Sequence, residues 1–300
     1  MTKNIVLALM ILGIVSSCGQ KDQTPENYSN AITAVRVEDT IPLTDPDAKV
    51  WKKAPIALIE LKPQNIIPPI IQEPSIKQLR VRAIYNDNYF GMLLEWEDST
   101  KDELINVNDF TDQVAIQFPI NPENPGSFMM GNKGAPVHII HWKALWQRDV
   151  EKGYLDVQDI YPNMWVDLYY FKKIPVYTEF TEKEIKFPRV DEFSPEQNDY
   201  NPAIKLRNPV SLVERQIPVE EAFAEGFGTF TTQLHQDAFA WGKYENGHWK
   251  VIIVRPLVSP DSRDAPLPSE TVVAFAVWDG SANQIGGRKQ YTPWIPLKLQ

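Results

Sequence analysis

Short apolar runs, most of five to nine residues by rough count and broken by Pro, Asn, Asp or Gly, set the pattern of this chain. The stretch Gln78–Tyr85 alternates Leu79, Val81 and Ala83 with Arg80 and Arg82, the period of two expected of a half-buried strand. Asn86-Asp87-Asn88 then turns the chain into a second apolar run, Tyr89–Trp96, so the two predict a hairpin. Gln113–Phe118 and Thr271–Trp278 are nearly continuous apolar runs and predict central strands. Ala238–Tyr244 and His248–Arg255 predict another hairpin across Glu245-Asn246-Gly247. Evidence for helices is thin. His141–Asp149 predicts either a couple of helical turns or the continuation of a strand that begins at Val137.

With 25 prolines spread along the chain, long helices are disfavoured. The expected fold class is mostly β: an antiparallel β-sandwich with long loops and few short helices, a pocket opening at one end of the sheets. Residues from about 150 to 208 are charged, aromatic and proline-punctuated, and are expected to be an insertion within one domain spanning 31–300.

The N-terminus has a different pattern. Lys3 precedes an apolar run from Ile5 to Val15, followed by Ser16-Ser17-Cys18-Gly19. That run is too short to span a bilayer, which takes about 20 residues. A basic start, an apolar core and small residues describe a secretory signal, and the run ending at Cys18 resembles a bacterial lipobox. Residues 1–18 are therefore expected to be a lipoprotein signal, with lipid carried on Cys18 and residues 19–30 as a flexible tether. The expected location is the bacterial cell envelope, lipid-anchored on the periplasmic or outer-surface side. Losing the signal removes Lys3 alone, taking the formal charge from −9 to −10. An acidic chain of this kind argues against nucleic acid as a partner.

Several standard chemistries are missing. Cys18 is the only cysteine, so the body has neither a disulfide nor a Cys-x-x-Cys-His haem attachment. No Walker loop occurs, and Gly226-Phe-Gly228 is too little to count as a dinucleotide fingerprint. The four histidines (His138, His141, His235, His248) argue against a zinc site; on a strand, His138 and His141 fall on opposite faces. What stands out is Gly126-Ser-Phe-Met-Met-Gly-Asn132, read with Gly287-Arg-Lys289. Adjacent methionines outside a helix suit a thioether acting as a soft ligand to haem iron.

An ordered set of motifs then resembles a known family. It runs through Trp51-Lys-Lys-Ala-Pro55, Val81–Tyr85, Leu94-Glu-Trp-Glu-Asp98, Phe110–Pro119, Phe128–Gly131 and Pro136–Lys143. It continues with Ala224–Thr229, Asn246-Gly-His-Trp249, Val277-Trp-Asp-Gly280 and Gly287-Arg-Lys289 before Trp294. This series resembles the haem-binding subunit of ethylbenzene dehydrogenase and the γ subunits of related dimethylsulfide, selenate, chlorate and nitrate molybdoenzymes. The resemblance implies a β-sandwich holding non-covalent haem b between a methionine and a lysine. By position these fall on Met130, with Met129 as alternate, and on Lys289, with Lys243 as alternate. His141 is a further substitute ligand, and Phe128, Trp142 and Phe227 are expected pocket walls beside it.

The resemblance also implies an electron-transfer protein without a substrate site of its own. Its partners would be molybdoenzyme catalytic and iron–sulfur subunits or a c-type cytochrome. A glycan-binding surface lipoprotein is the alternative, carried by a β-sandwich rich in Trp and Tyr.

Overall fold

A computed structural model describes residues 31–105, 109–155, 157–161 and 215–300. The predicted signal, the tether and most of the predicted insertion lie outside these residues. The strands of the first half are β1 (Ile32–Arg36), β2 (Ala57–Glu60), β3 (Lys62–Pro63), β4 (Gln78–Tyr85), β5 (Tyr89–Glu97), β6 (Gln113–Pro119) and β7 (Val137–Lys143). Helices α1 (Ala144–Lys152) and α2 (Val157–Ile160) follow. Then come β8 (Val219–Ala224), β9 (Thr231–Thr232), β10 (Phe239–Glu245), β11 (His248–Pro256), β12 (Glu270–Trp278), β13 (Gln290–Tyr291) and β14 (Ile295–Leu299). The fold is mostly β.

Hydrogen bonds join the main strands in the order β10-β11-β5-β4-β1-β14-β12-β6-β7-β8-β9. Strand β12 links the two halves: Glu270–Val273 pair with β14, and Ala274–Trp278 pair with β6. The sheet folds over at this point and its halves face each other. Phe90 on β5 meets Phe118 on β6 edge-on at 6.2 Å, and Trp249 on β11 meets Trp142 on β7 at 5.0 Å. Such aromatic pairs add about 0.5–1.5 kcal/mol beyond the area they bury. One feature departs from an all-antiparallel sandwich. β1 runs parallel to both of its neighbours, β4 and β14, while the other pairings among the described strands are antiparallel.

Both hairpins form where the alternation and turn residues place them, β4 with β5 and β10 with β11. The segment after Val137 does both things that its sequence allows. It stays extended to Lys143, then turns helical at Ala144. The outer face of the β4–β5–β11 layer is covered by the segment around the 3₁₀ turn Lys49–Lys53, whose buried Trp51 packs with Ile41, Leu93 and Val254.

Gly242 on β10 lies directly beneath the Trp142 ring, and a Cβ there would sit 2.5 Å from Cζ2. Gly242→Ala is expected to lower unfolding free energy by about 1–3 kcal/mol, because the packed indole has nowhere to go. Urea denaturation measures this, and an unchanged midpoint would count against the packing.

Candidate functional site

Period-two alternation builds the site. On β6, Val114, Ile116 and Phe118 face the inter-sheet core, so Gln113, Ala115 and Gln117 face the other way. Register with the neighbouring strands sets these into rows. Ile139, Gln117 and Ala274 form one; His141, Ala115, Ala276 and Tyr291 the next; Lys143, Gln113 and Trp278 the third. Ala115 and Ala276 occupy the middle of the central row, with His141 and Tyr291 at its ends. Over this floor lies a cavity of about 600 Å³. Its walls come from the loop carrying Phe128, Met129 and Met130, the loop carrying Phe227 and Phe230, and the Ile67–Pro69 segment. Phe227, Phe230, Ile67 and Ile285 line the cavity and are also exposed, so they form its mouth.

Met130 has φ +66° although it carries a side chain, a left-handed conformation that costs on the order of 1–3 kcal/mol. Its surroundings fix it there. The Gly226 N–H donates to the Met130 carbonyl at 2.8 Å, and the Gly131 N–H donates to the Ser127 carbonyl at 2.9 Å. The Asn132 side chain accepts from the Ser127 N–H, and the Gln117 amide donates to the Phe128 carbonyl. The Met130 side chain packs against the cluster of Ala115, Val137, Ile139, Ala224 and Trp278. Phe128 stacks on Tyr291 at 5.7 Å.

Lys289 lines the same cavity. Its ammonium nitrogen lies 4.8 Å from the centre of the Trp278 ring, and among the described residues no carboxylate pairs with it. Burial alone pushes its pKa from the usual lysine range down to about 8. His141 also points into the cavity, stacked on Trp278 at 5.0 Å and edge-on to Trp146. Burial, with help from the charges of Lys143 and Lys289, holds its pKa well below the ordinary value, so the ring is neutral. Its Nε2 is buried without a hydrogen-bond partner. The cavity thus gathers thioether sulfurs, a desolvated amine and a neutral imidazole, each with a lone pair for a metal. Such a set fits a transition metal held in an apolar pocket.

Two of the expected residues lie elsewhere. Trp142 follows His141 on an extended strand and so faces the opposite side, buried in the core, with its indole N–H donating to Gln147. It is not a cavity wall. Lys243 is exposed on β10 and paired with Asp47 at 2.6 Å and Glu245 at 3.2 Å, contacts that raise its pKa. A charged, solvated lysine there cannot reach the cavity. Phe128, Met129, Met130, His141, Phe227 and Lys289 all line it. Lys143, Gln117 and Trp278 line the cavity without having been expected there; alternation from His141 and Ala115 reaches the first two, while Trp278 is placed by the register of β12 on β6.

His138, on the opposite face, is fully buried beside Glu221 and Asp264. The Ala265 N–H donates to its Nδ1 at 3.3 Å, and its Nε2 faces Glu221 at 3.2 Å and Asp264 at 3.5 Å.

Residues 48–290 match the family described as ethylbenzene dehydrogenase. The chain belongs to that family. Two curated relatives stand beside the ethylbenzene dehydrogenase match. A "putative respiratory nitrate reductase heme subunit" of Haloferax mediterranei is 23% identical over 83% of this chain and 66% of its own length. The "chlorate reductase subunit gamma" of Ideonella dechloratans is 30% identical over 33% of this chain and 42% of its own. The chain thus spans less than two thirds of either. Among solved structures, a family 9 carbohydrate-binding module from Caldicellulosiruptor kristjanssonii with cellotriose aligns over 90% of this chain and 93% of that one. At 8% identity and a TM-score of 0.41 that likeness carries no argument.

Proposed function

We propose that this protein binds one haem b non-covalently and transfers electrons, with Met130 and Lys289 as the iron's axial ligands. The observation that carries the reading is the convergence of a strained methionine and an unpaired, desolvated lysine on one apolar cavity, from positions far apart in sequence. A lysine binds iron only as the neutral amine, and burial brings Lys289 towards that form. A thioether raises reduction potential, which suits a relay. Haem held this way supplies one-electron chemistry. The residues of this chain exclude water, hold the amine uncharged and fix the methionine loop.

With two protein ligands on the iron, no position remains for a substrate, so the protein serves an enzyme and is not one. The named relatives are a reductase haem subunit and a reductase γ subunit, which supports a molybdenum oxidoreductase of the DMSO reductase family as the partner. Electrons would pass through its catalytic and iron–sulfur subunits or to a c-type cytochrome. Lipid on Cys18 would tether the protein to the envelope.

The test is an absorption spectrum of the full chain purified with haem, oxidised and then reduced. A sharp Soret band and split low-spin bands on reduction are expected; a flat visible spectrum after haem addition would end the proposal. Because His141 offers an unpartnered Nε2, His141→Gln is the accompanying variant. It should keep both ligand bands, whereas conversion to a high-spin spectrum would make His141 the ligand.

A further inference from the structure

Most polar side chains of the cavity lining are turned to the backbone. The Gln64 and Gln117 amides donate to the carbonyls of Ile67 and Phe128 at 2.7 and 3.1 Å. Gln113 donates to the Thr111 carbonyl at 3.2 Å, and the Thr111 hydroxyl donates to the Asp102 carbonyl at 3.0 Å. Besides Lys289, two basic side chains line the cavity among the described residues, His141 and Lys143, and both stand on β7. They are two positions apart on extended backbone, with Lys143 at φ −133° and ψ 138°. Their side chains therefore leave the same face of the strand, about 6.6 Å apart along it.

Neither has found an anion. The His141 Nε2 is buried without a hydrogen-bond partner. The Lys143 ammonium lies 4.2 Å from the centre of the Trp146 ring, and the Arg215 guanidinium lies 4.5 Å from the centre of the same ring. Two cations thus share one indole. Among the described residues no carboxylate forms an ion pair with Lys143; Glu220, whose charge favours the lysine's cation, accepts from the Thr232 hydroxyl. A buried imidazole edge and a desolvated ammonium, side by side, are costly to leave without a partner.

The anion they call for has to suit the rest of the cavity. Its 600 Å³ are walled largely by Phe, Ile, Met and Ala, against which a small inorganic anion would lose its hydration. The matching ligand has a broad apolar body and carries its carboxylates on one edge. Haem b has this form, with two propionate side chains on one side of its ring.

We infer that Lys143 and His141 seat the propionate carboxylates of the bound porphyrin, an inference that rests on the haem reading above. Lys143 supplies a charge-assisted hydrogen bond, and His141 donates through its Nε2–H. Both are positioning residues. They leave the iron to Met130 and Lys289 and turn the carboxylate edge of the ring towards the end of β7. They also make the site selective for porphyrins that keep free carboxylates.

The experiment titrates the haem-free full chain with ferric protoporphyrin IX and, separately, with its dimethyl ester, following the Soret band. The ester keeps the ring and the iron but has no carboxylate charge. The unaltered chain should bind the free acid about tenfold or more tighter than the ester. Lys143→Met should weaken binding of the free acid by about tenfold, leave the ester unchanged and keep the low-spin bands. Lys143→Arg keeps the charge and should retain most of the preference. His141→Leu should weaken the free acid by about threefold or more, again without loss of the low-spin bands. If Lys143→Met does not fold, His141→Leu still reads the same preference. Equal binding of acid and ester by the unaltered chain would overturn the inference. So would variants that weaken both porphyrins alike, the mark of a purely structural role, or a high-spin spectrum in His141→Leu, the mark of an iron ligand. Low-spin binding without preference for the acid would leave the haem reading standing, whereas binding of neither porphyrin would end both.

Discussion

Replacing Lys289 by methionine is expected to remove haem binding by this ligand and, at the same time, to stabilise the haem-free protein. Both effects have one cause. Among the described residues the amine has no anionic partner, so folding strips its water and returns only the contact with the Trp278 ring. A methionine of similar length fills the space without that penalty. The gain in haem-free stability is expected to be about 1–3 kcal/mol, the range for burying an uncompensated polar group. Loss of an iron ligand should weaken haem binding by about 100-fold or more, at least the upper end of what supporting residues around a metal are worth.

The pH dependence has a definite sign. In the folded, haem-free protein the Lys289 pKa is about 8, against about 10.4 in an unfolded chain. Between these values the unfolded state binds more protons, so stability contributed by this group rises as pH increases from about 8 to about 10.4. Below about 8 both states are protonated, and its contribution no longer changes. Haem affinity should fall about tenfold per pH unit below 8, since the proton must leave before iron can bind. Urea titrations of haem-free protein at several pH values, with Lys289→Met alongside, separate this slope from that of other groups. If the variant shows the same slope and the same haem spectrum as the parent, Lys289 is not the ligand.

The parts of the fold that depend on local pattern were legible in the sequence. Leu79, Val81 and Ala83 alternate with arginines, and Asn86–Asn88 turn, so β4 and β5 could be drawn without a structure. Asn246-Gly247 did the same for β10 and β11, with Asn246 taking φ +52°. The parallel placement of β1 between β4 and β14 was hidden, because no local pattern records a pairing between residues 34 and 299. The same limit explains the two misplaced site residues. Trp142 is expected as a pocket wall, yet the alternation that separates His138 from His141 also sends Trp142 to the core. Lys243 was a reasonable alternate until its partner Asp47, nearly 200 residues away, came into view. Met129, Met130 and Lys289 were legible through the resemblance, and the backbone adds a reason to separate the two methionines.

That reason leads to the second prediction. Met130→Leu is expected to change the reduced haem spectrum from low-spin to high-spin, while Met129→Leu leaves it intact. Leucine is close to methionine in volume, so either change should cost less than about 1.5 kcal/mol of stability, and the spectrum then reports ligation and not misfolding. The distinction rests on the backbone. Met130 holds a left-handed φ of +66° between fixed hydrogen bonds, whereas Met129 makes an ordinary turn with its N–H donating to Ser127 Oγ at 3.1 Å. A strained residue that its surroundings over-determine is where a fold fixes a side chain for use. Gly131→Ala gives an independent check. Its φ is +73°, and a Cβ would lie 2.8 Å from the Ala135 carbonyl and 3.1 Å from the Ala224 carbonyl. The loop would have to shift, carrying the Met130 sulfur with it, so Gly131→Ala should weaken the low-spin bands although residue 130 is unaltered. If Met129→Leu alone gives the high-spin spectrum, the ligand is the neighbouring sulfur and the strain at Met130 serves only to orient it. If neither leucine variant nor Gly131→Ala alters the bands, the iron takes no thioether, and the neutral imidazole of His141 is the donor left in the cavity.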